Sequence, residues 1–163
     1  MAAVDFFLKI DGIDGESADK TFKNAIDLES WSFGATNSGS MGHAGGGGGS
    51  GKVKFEDFHF TMRSNKASPK LMLACASGEH IKKAVLTCRK AGKDQQVFLK
   101  YTFSDCIVSS FQQGGGSSGE ILPTDSISLN YGKIEKEYKA QKPDGTMDGA
   151  ITAGWNLVQN VKV

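Results

Sequence analysis

Val4, Phe6, Leu8 and Ile10 interleave with Asp5, Phe7, Lys9 and Asp11, the two-residue period of a strand with one buried face. Asp11-Gly12, Asp14-Gly15 and Ser17 supply turn chemistry, and an extended pattern resumes from Ala25 to Phe33, stopping at Gly34. Val53 to Met62 is rich in β-branched and aromatic residues and reads as a further strand. One segment has helical character: Ser68-Pro69 is an N-cap followed by proline at the first helical position, Leu71, Met72 and Cys75 form a short apolar stripe, and Gly78 is placed to end it.

Ala84–Arg89 and Val97–Phe111 then read as a long hairpin around the Ala91-Gly92-Lys93-Asp94 turn. Gly114–Gly119 is a glycine-serine loop and Ser126–Tyr131 alternates again. Gly132 shifts the phase so that Ile134 and Tyr138 fall on the core side, which predicts a bulge. Pro143-Asp144-Gly145 turns the chain, and Gly154-Trp155-Asn156-Leu157-Val158 closes it as a last strand. Six to eight strands and one helix predict a mainly β fold, a largely antiparallel barrel or sandwich. Phe6 and Phe7 point to opposite sides, as do Phe55 with Phe58 and Phe98 with Phe103, although an isolated barrel needs one apolar face. Either the helix and loops cover the second face or neighbouring subunits do, and one short helix is too small for it.

A chain of 163 residues suits one domain spanning 1–163, which at this size buries roughly 70% of its unfolded surface. Nineteen basic against eighteen acidic residues leave a net charge of +1, so no overall field attracts nucleic acid or an anionic membrane. Arg63 and Arg89 are the only arginines, whereas phosphate readers favour arginine forks. No apolar run approaches membrane-spanning length, and the N-terminus lacks a basic segment followed by an apolar core; synthesis in the cytoplasm without a signal peptide is expected. Cys75, Cys88 and Cys106 are odd in number and widely spaced, which predicts reduced, half-buried packing residues rather than a disulfide or zinc framework.

The segment 34–51 is eighteen residues long and nine of them are glycine, longer than ordinary connections. Gly46 to Lys52 fits the phosphate-loop spacing G-x-x-x-x-G-K. Val53 stands where a magnesium-binding Ser or Thr belongs, and a strand follows instead of the helix whose N-terminus would hold the anion. A loose surface loop and an ordered arm lying against another protein both remain, since glycine lets backbones approach closely.

Candidate chemistry is sparse, and no catalytic residue, cofactor or metal is expected. Asp57 and His59 share a strand face, but no recognisable nucleophile motif accompanies them. Glu29, Glu56 and Glu120 could pair as acid and base only if folding set their separation. His43, His59 and His80 lack ligand spacing, and Trp31 and Trp155 suit a core better than a stacking platform because no basic residues interleave them.

Taken in order, eight segments resemble the haemolysin-coregulated protein (Hcp) family of bacterial type VI secretion. They are Phe7-Leu-Lys-Ile-Asp-Gly-Ile-Asp-Gly-Glu-Ser17, Ser30-Trp-Ser-Phe-Gly34, the glycine loop opening Ser38-Gly-Ser-Met41, and Ser68-Pro-Lys-Leu-Met-Leu-Ala-Cys-Ala-Ser-Gly78 with His80. The other four are Leu86-Thr-Cys-Arg-Lys-Ala-Gly92, Val108-Ser-Ser110, Ile127-Ser-Leu-Asn-Tyr131 and Gly154-Trp-Asn156. The family often has Trp-Ser-Trp where this chain has Trp31-Ser32-Phe33, which keeps an aromatic in place.

The resemblance implies a compact antiparallel β-barrel with one flanking α-helix and a long protruding glycine-rich loop at 34–51. It implies a structural role rather than an enzymatic one: a homohexameric ring, stacked with others into a hollow inner tube that is expelled on firing. Its implied partners are further copies of itself, contractile sheath proteins, a spike protein at the tube tip and small effector proteins held in the lumen, with no nucleic acid and no stable membrane insertion. The implied itinerary is assembly in the bacterial cytoplasm, then secretion without a signal peptide, and no effector domain is expected within 1–163. Strand faces line the family's tube, and alternation around Trp31 turns Ser30 and Ser32 away from the indole, so these serines are expected in the lumen. The arm residues Ser38, Ser40, Met41, His43, Gly45, Gly46, Gly47, Gly48, Gly49 and Lys52 are expected to contact an adjacent subunit or the next ring. Eighteen residues reach roughly 60 Å extended, or about half that out and back. The alternative carried forward is a monomeric ligand-binding β-barrel with Trp31 and Trp155 beside a pocket.

Overall fold

The computed structural model describes residues 3–39 and 52–163. Eleven strands and one helix follow in the order β1 (Val4–Ile10), β2 (Ile26–Asp27), β3 (Ser30–Ser32), β4 (Ala35–Asn37), β5 (Val53–Phe55), β6 (Phe58–Arg63), α1 (Ser68–Ser77), β7 (Ile81–Lys90), β8 (Val97–Gly114), β9 (Thr124–Tyr138), β10 (Ile151–Asn156) and β11 (Val161–Lys162). All ladders are antiparallel. The main sheet runs β11-β10-β9-β8-β7-β1-β2, with β6 also on β9 and β3 on β6, while β4 and β5 form a separate hairpin stem.

The fold is mainly β, as the alternation predicts, but pairing does not close it into a barrel. The seam lies between β2, which pairs with β1, and β3, which pairs with β6. Two residues cross from one partner to the other: the Leu28 N–H donates to the Phe6 carbonyl and the Glu29 N–H to the Thr61 carbonyl, at 3.0 and 2.9 Å. Inside lies one core of Leu8, Ile26, Phe58, Phe60, Met62, Leu71, Leu86, Phe103, Ile127 and Leu129, all with no exposure. Phe58 stacks on Phe103 at 4.5 Å between ring centres. Each such side chain contributes about 1.5–3 kcal/mol by leaving water, and together they fill the space that a ligand-binding barrel would keep open.

Helix α1 begins at Ser68 with Pro69 in its first turn and ends at Gly78 in the left-handed conformation, φ 67°. The cap differs in detail from the expectation, because Ala67 holds the N-cap position and gives no side-chain bond. The start is fixed instead by Asn65 and Ser68: the Ala67 N–H donates to Asn65 Oδ1 and the Asn65 N–H to Ser68 Oγ, at 2.8 and 3.0 Å. Leu71 and Ala74 face the core, whereas Met72 is 56% exposed and does not belong to the packing stripe.

Other expectations shift. The predicted strand 53–62 breaks at Glu56-Asp57 into β5 and β6. Part of the 34–51 loop is not loop, since Ala35–Asn37 pairs with Val53–Phe55. Phe7 is covered by this chain's own Phe22, stacked at 4.5 Å with the Arg89 guanidinium 4.9 Å from the Phe7 centroid, so its face needs no neighbour. Gly132 does mark a change of phase, and Ile134 beyond it is buried, but Tyr138 is 44% exposed. No extra residue is inserted there: Ser104↔Lys133 and Cys106↔Tyr131 keep one register. Asp105, opposite, takes a left-handed φ of 55°, and the two strands change phase together. The register shift falls later, between Val108 and Ser110. The last predicted strand is β10, and β11 follows it.

Candidate cargo-facing surface

The register of four neighbouring strands sorts their side chains into rows. Ser32 of β3 lies opposite His59 of β6, His59 opposite Ser128 of β9, and Ser128 opposite Ser110 of β8. Two residues along, Ser30, Thr61, Ser126 and Gln112 make a second polar row, and between the two runs Trp31, Phe60, Ile127 and Phe111. Successive strand residues point to opposite faces, so one face is polar and the other enters the core. Direct bonds tie the polar rows: Ser30 Oγ to Thr61 Oγ1 at 2.6 Å and His59 Nδ1 to Ser128 Oγ at 3.1 Å. Ser30, Ser32 and Gln112 are exposed, the other five half-buried.

Hydroxyls and amides make this face hydrophilic, and His59 is the one residue of the two rows able to carry charge. Charged groups stand at its two ends. At one, Asp57 accepts from Ser109 Oγ at 2.6 Å and from Asn130 Nδ2 at 3.0 Å. At the other, Arg63 pairs with both Glu29 and Glu120. The Asp57–His59 catalytic alternative loses its geometry, since their hydrogen bonds go to separate partners. Glu29 and Glu120 share a guanidinium, while Glu56 lies beyond the far end of β6 and offers its backbone carbonyl to Tyr131 Oη at 2.8 Å. Among the described residues no group of three or more His, Cys, Asp or Glu could hold a metal ion.

Of the expected arm, Ser38 and Lys52 are described and exposed, on either side of the β4–β5 stem; Ser40, Met41, His43 and Gly45–Gly49 lie outside the described residues. The stem leaves from the Asp57 end of the polar face. At its base Phe33, Phe55, Tyr101, Ile134 and Trp155 line an apolar groove of about 230 Å³. Trp155 Nε1 is buried there without a hydrogen-bond partner among the described residues. Trp31 is elsewhere, packed against Phe6 and Tyr101 at 6.2 and 5.5 Å, so the two tryptophans do not flank a common pocket.

Sequence reasoning places Ser30 and Ser32 on one face and does not join Thr61, Ser110, Gln112, Ser126 and Ser128 to them. The signal was present: Phe58, Phe60 and Met62 alternate with His59 and Thr61, and Ile127 and Leu129 alternate with Ser126 and Ser128.

Residues 7–138 match a protein-family model described as "Type VI secretion system effector, Hcp". The chain is 48% identical over 162 residues to Protein hcp1 of Pseudomonas aeruginosa, covering 98% of this chain and 99% of that one. A crystal structure of Hcp1 from Salmonella typhimurium superposes with a TM-score of 0.84 at 40% identity, covering 99% of this chain and 100% of that one. A structure titled "Structure of a type six secretion system protein" gives a TM-score of 0.93 at 31% identity, again covering 99% and 100%. The eight ordered segments, the two-faced sheet and these likenesses agree, and the chain belongs to the Hcp family of type VI secretion proteins.

Proposed function

We propose that this protein is the repeating subunit of a hollow secretion tube, closing as a homohexameric ring whose bore is lined by the β3-β6-β9-β8 face. The observation that carries this reading is the pair of polar rows, Ser32-His59-Ser128-Ser110 and Ser30-Thr61-Ser126-Gln112, laid across four strands with the apolar row Trp31-Phe60-Ile127-Phe111 on the reverse side. A neutral hydroxyl surface stays hydrated and gives passing cargo neither an apolar patch nor a strong field to stick to.

Open strand edges supply a means of self-association. Among the described residues β3 has β6 on one side and no strand on the other, and β7 accompanies β8 only as far as Cys106. Unpaired edges of this kind invite another chain, and two different edges on one protomer make a heterologous contact that closes into a ring when the rotation allows. In this reading rings assemble in the cytoplasm, stack inside a contractile sheath beneath a spike, carry small effectors in the bore and leave the cell when the tube is expelled. No catalytic step is involved.

Electron microscopy of the purified full chain tests it. Rings with a central hole are expected, and a Ser32→Cys variant in a Cys75→Ser background, labelled with gold-maleimide, should place density inside the hole. Monomers at micromolar concentration would overturn the ring, and label on the outer rim would overturn the assignment of the bore.

A further inference from the structure

The two polar rows are neutral apart from His59, so the charges beside it set the field that cargo meets. Asp57 is the first of them, two residues before His59 and about 7 Å away along the chain. Its carboxylate accepts from Ser109 Oγ and Asn130 Nδ2, at 2.6 and 3.0 Å. Both donors are uncharged, and among the described residues no cation forms an ion pair with it. Its negative charge is therefore held in place and left uncancelled.

The other strands packed around His59 add no charge at this level. β3 brings Ser32, β9 brings Ser128 and Asn130, and β8 brings Ser110. Glu56 and Lys54 come next before Asp57, exposed and of opposite sign. Lys133, further along β9, is engaged by Glu135 at 3.2 Å. Arg63, with Glu29 and Glu120 upon it, stands four residues past His59. That is about 13 Å, beyond the screening length of about 8 Å at physiological salt. Asp57 and His59 together carry one negative charge while the imidazole is neutral and none once it is protonated.

Protonation needs no rearrangement of the sheet. His59 Nδ1 lies 3.1 Å from Ser128 Oγ, and a serine hydroxyl can rotate to accept from an imidazolium as readily as it serves a neutral ring. Imidazole is the side chain that changes charge between about pH 5 and pH 8. The pair repeats in every protomer, so in a homohexamer the whole belt loses its charge together.

We propose that Asp57 and His59 make a pH-gated docking belt for cargo with a basic surface, which holds such cargo at neutral pH and lets it go when mild acid protonates His59. This rests on the ring-and-tube reading above and adds the charge class of the cargo and the condition for its release. Binding of a basic surface and protonation of the belt oppose each other, and the opposition is reciprocal. One exposed ion pair shifts an equilibrium only about two- to fivefold. Several pairs engaged at once around a belt multiply to roughly tenfold or more.

Rhodamine-labelled hexalysine is the probe, because lysine keeps its charge across the whole range. It should bind rings of the full chain roughly tenfold more tightly at about pH 7.5 than at about pH 5.5, read by fluorescence anisotropy, with the rings intact at both by sedimentation. His59→Gln, which cannot be protonated, should bind tightly at both. His59→Lys and Asp57→Asn should bind weakly at both, the first by adding a fixed positive charge and the second by removing the negative one. Added salt should weaken binding to wild-type rings at neutral pH.

A His59→Gln variant that keeps the pH response would overturn the switch, as would wild-type rings that bind hexalysine equally at the two pH values. Tight binding by His59→Lys rings would put the peptide elsewhere and overturn the belt, whether or not Asp57→Asn assembles. Wild-type rings that fall apart at about pH 5.5 would assign the response to assembly and overturn it equally. Absence of rings at neutral pH would instead remove the ring reading itself, so the two failures are distinguishable.

Discussion

Asp125 is fully buried and is the joint between α1 and the polar face, so its removal gives a sharp test of what holds the sheet in place. Ser68 Oγ, on the first residue of α1, donates to Asp125 Oδ2 at 2.5 Å. Ser64 Oγ and Gln113 Nε2 donate to Oδ1 at 2.7 and 2.9 Å. Four elements therefore meet at one carboxylate: the end of β6, the start of α1, the end of β8 and the start of β9. Asp125→Ala strands the buried Ser68 hydroxyl, worth about 1–3 kcal/mol, and turns two half-exposed donors toward water at about 0.5–1 kcal/mol each, so the expected cost is about 3 kcal/mol. Asp125→Asn keeps the volume and one carbonyl oxygen. The Ser68 hydroxyl can rotate to accept from the new amide, and the loss is about 1 kcal/mol. Urea denaturation read by tryptophan fluorescence should show the midpoint falling in the order wild type, Asn, Ala with an unchanged slope. Amides in the first turn of α1 should lose hydrogen-exchange protection before those of β7. An alanine variant within 1 kcal/mol of wild type, or an asparagine variant as damaged as alanine, would refute the network account.

Three other outcomes are expected. Hydrogen bonds from Arg89 hold the Asp19 carboxyl down at about 2 against an ordinary 3.8; a depressed acid stabilises the fold above its unfolded value and ceases to do so as pH falls through about 2. The stability difference between wild type and Asp19→Asn should accordingly be constant above about pH 5 and vanish near pH 2, and a difference that grows on acidification would reverse the sign. Burial pushes the Cys88 thiol up to about 11 and the Cys106 thiol to about 12, so iodoacetamide at pH 8 should modify Cys75 alone in the native chain and all three after unfolding, read by mass spectrometry. Trp155→Phe deletes a buried N–H that has no partner among the described residues while keeping a ring in the groove, so thermal unfolding should be unchanged or slightly later; a loss above about 1 kcal/mol would overturn that expectation.

Features written in consecutive residues were legible. β1 runs over the Val4–Ile10 segment that alternation marks, and α1 lies between the Ser68-Pro69 start and the Gly78 stop. Features that depend on a second segment were not. Gly132 announces a change of phase, but its counterpart is Asp105, a non-glycine residue at positive φ that no local pattern reveals. Phe7 looks like a surface needing a neighbour until Phe22, from the loop before β2, closes over it. The seam between β2 and β3 escaped for the same reason, since both halves sit in one extended run and differ only in which strand they pair with. The polar face was half legible: each strand shows its alternation, while the rows exist only once register is known.

That dependence on register explains why the ends of the face are so firmly held. A one-residue slip of β9 against β6 would turn Ser126 and Ser128 into the core and Ile127 and Leu129 onto the polar side, destroying the core and the proposed bore together. Two carboxylates oppose such a slip. Asp57 at one end grips Ser109 and Asn130, and Asp125 at the other grips Ser64, Ser68 and Gln113. The register shift in β8 between Val108 and Ser110 lies beside the first grip, where Ser109 turns its hydroxyl to Asp57. A shift that places one donor correctly and returns Ser110 and Gln112 to the polar rows serves both the fold and the surface. The sheet is thus pinned at both ends because its two faces have incompatible chemistry, and the phase that fills the core with Phe58 and Phe60 is the same phase that lines the other side with hydroxyls.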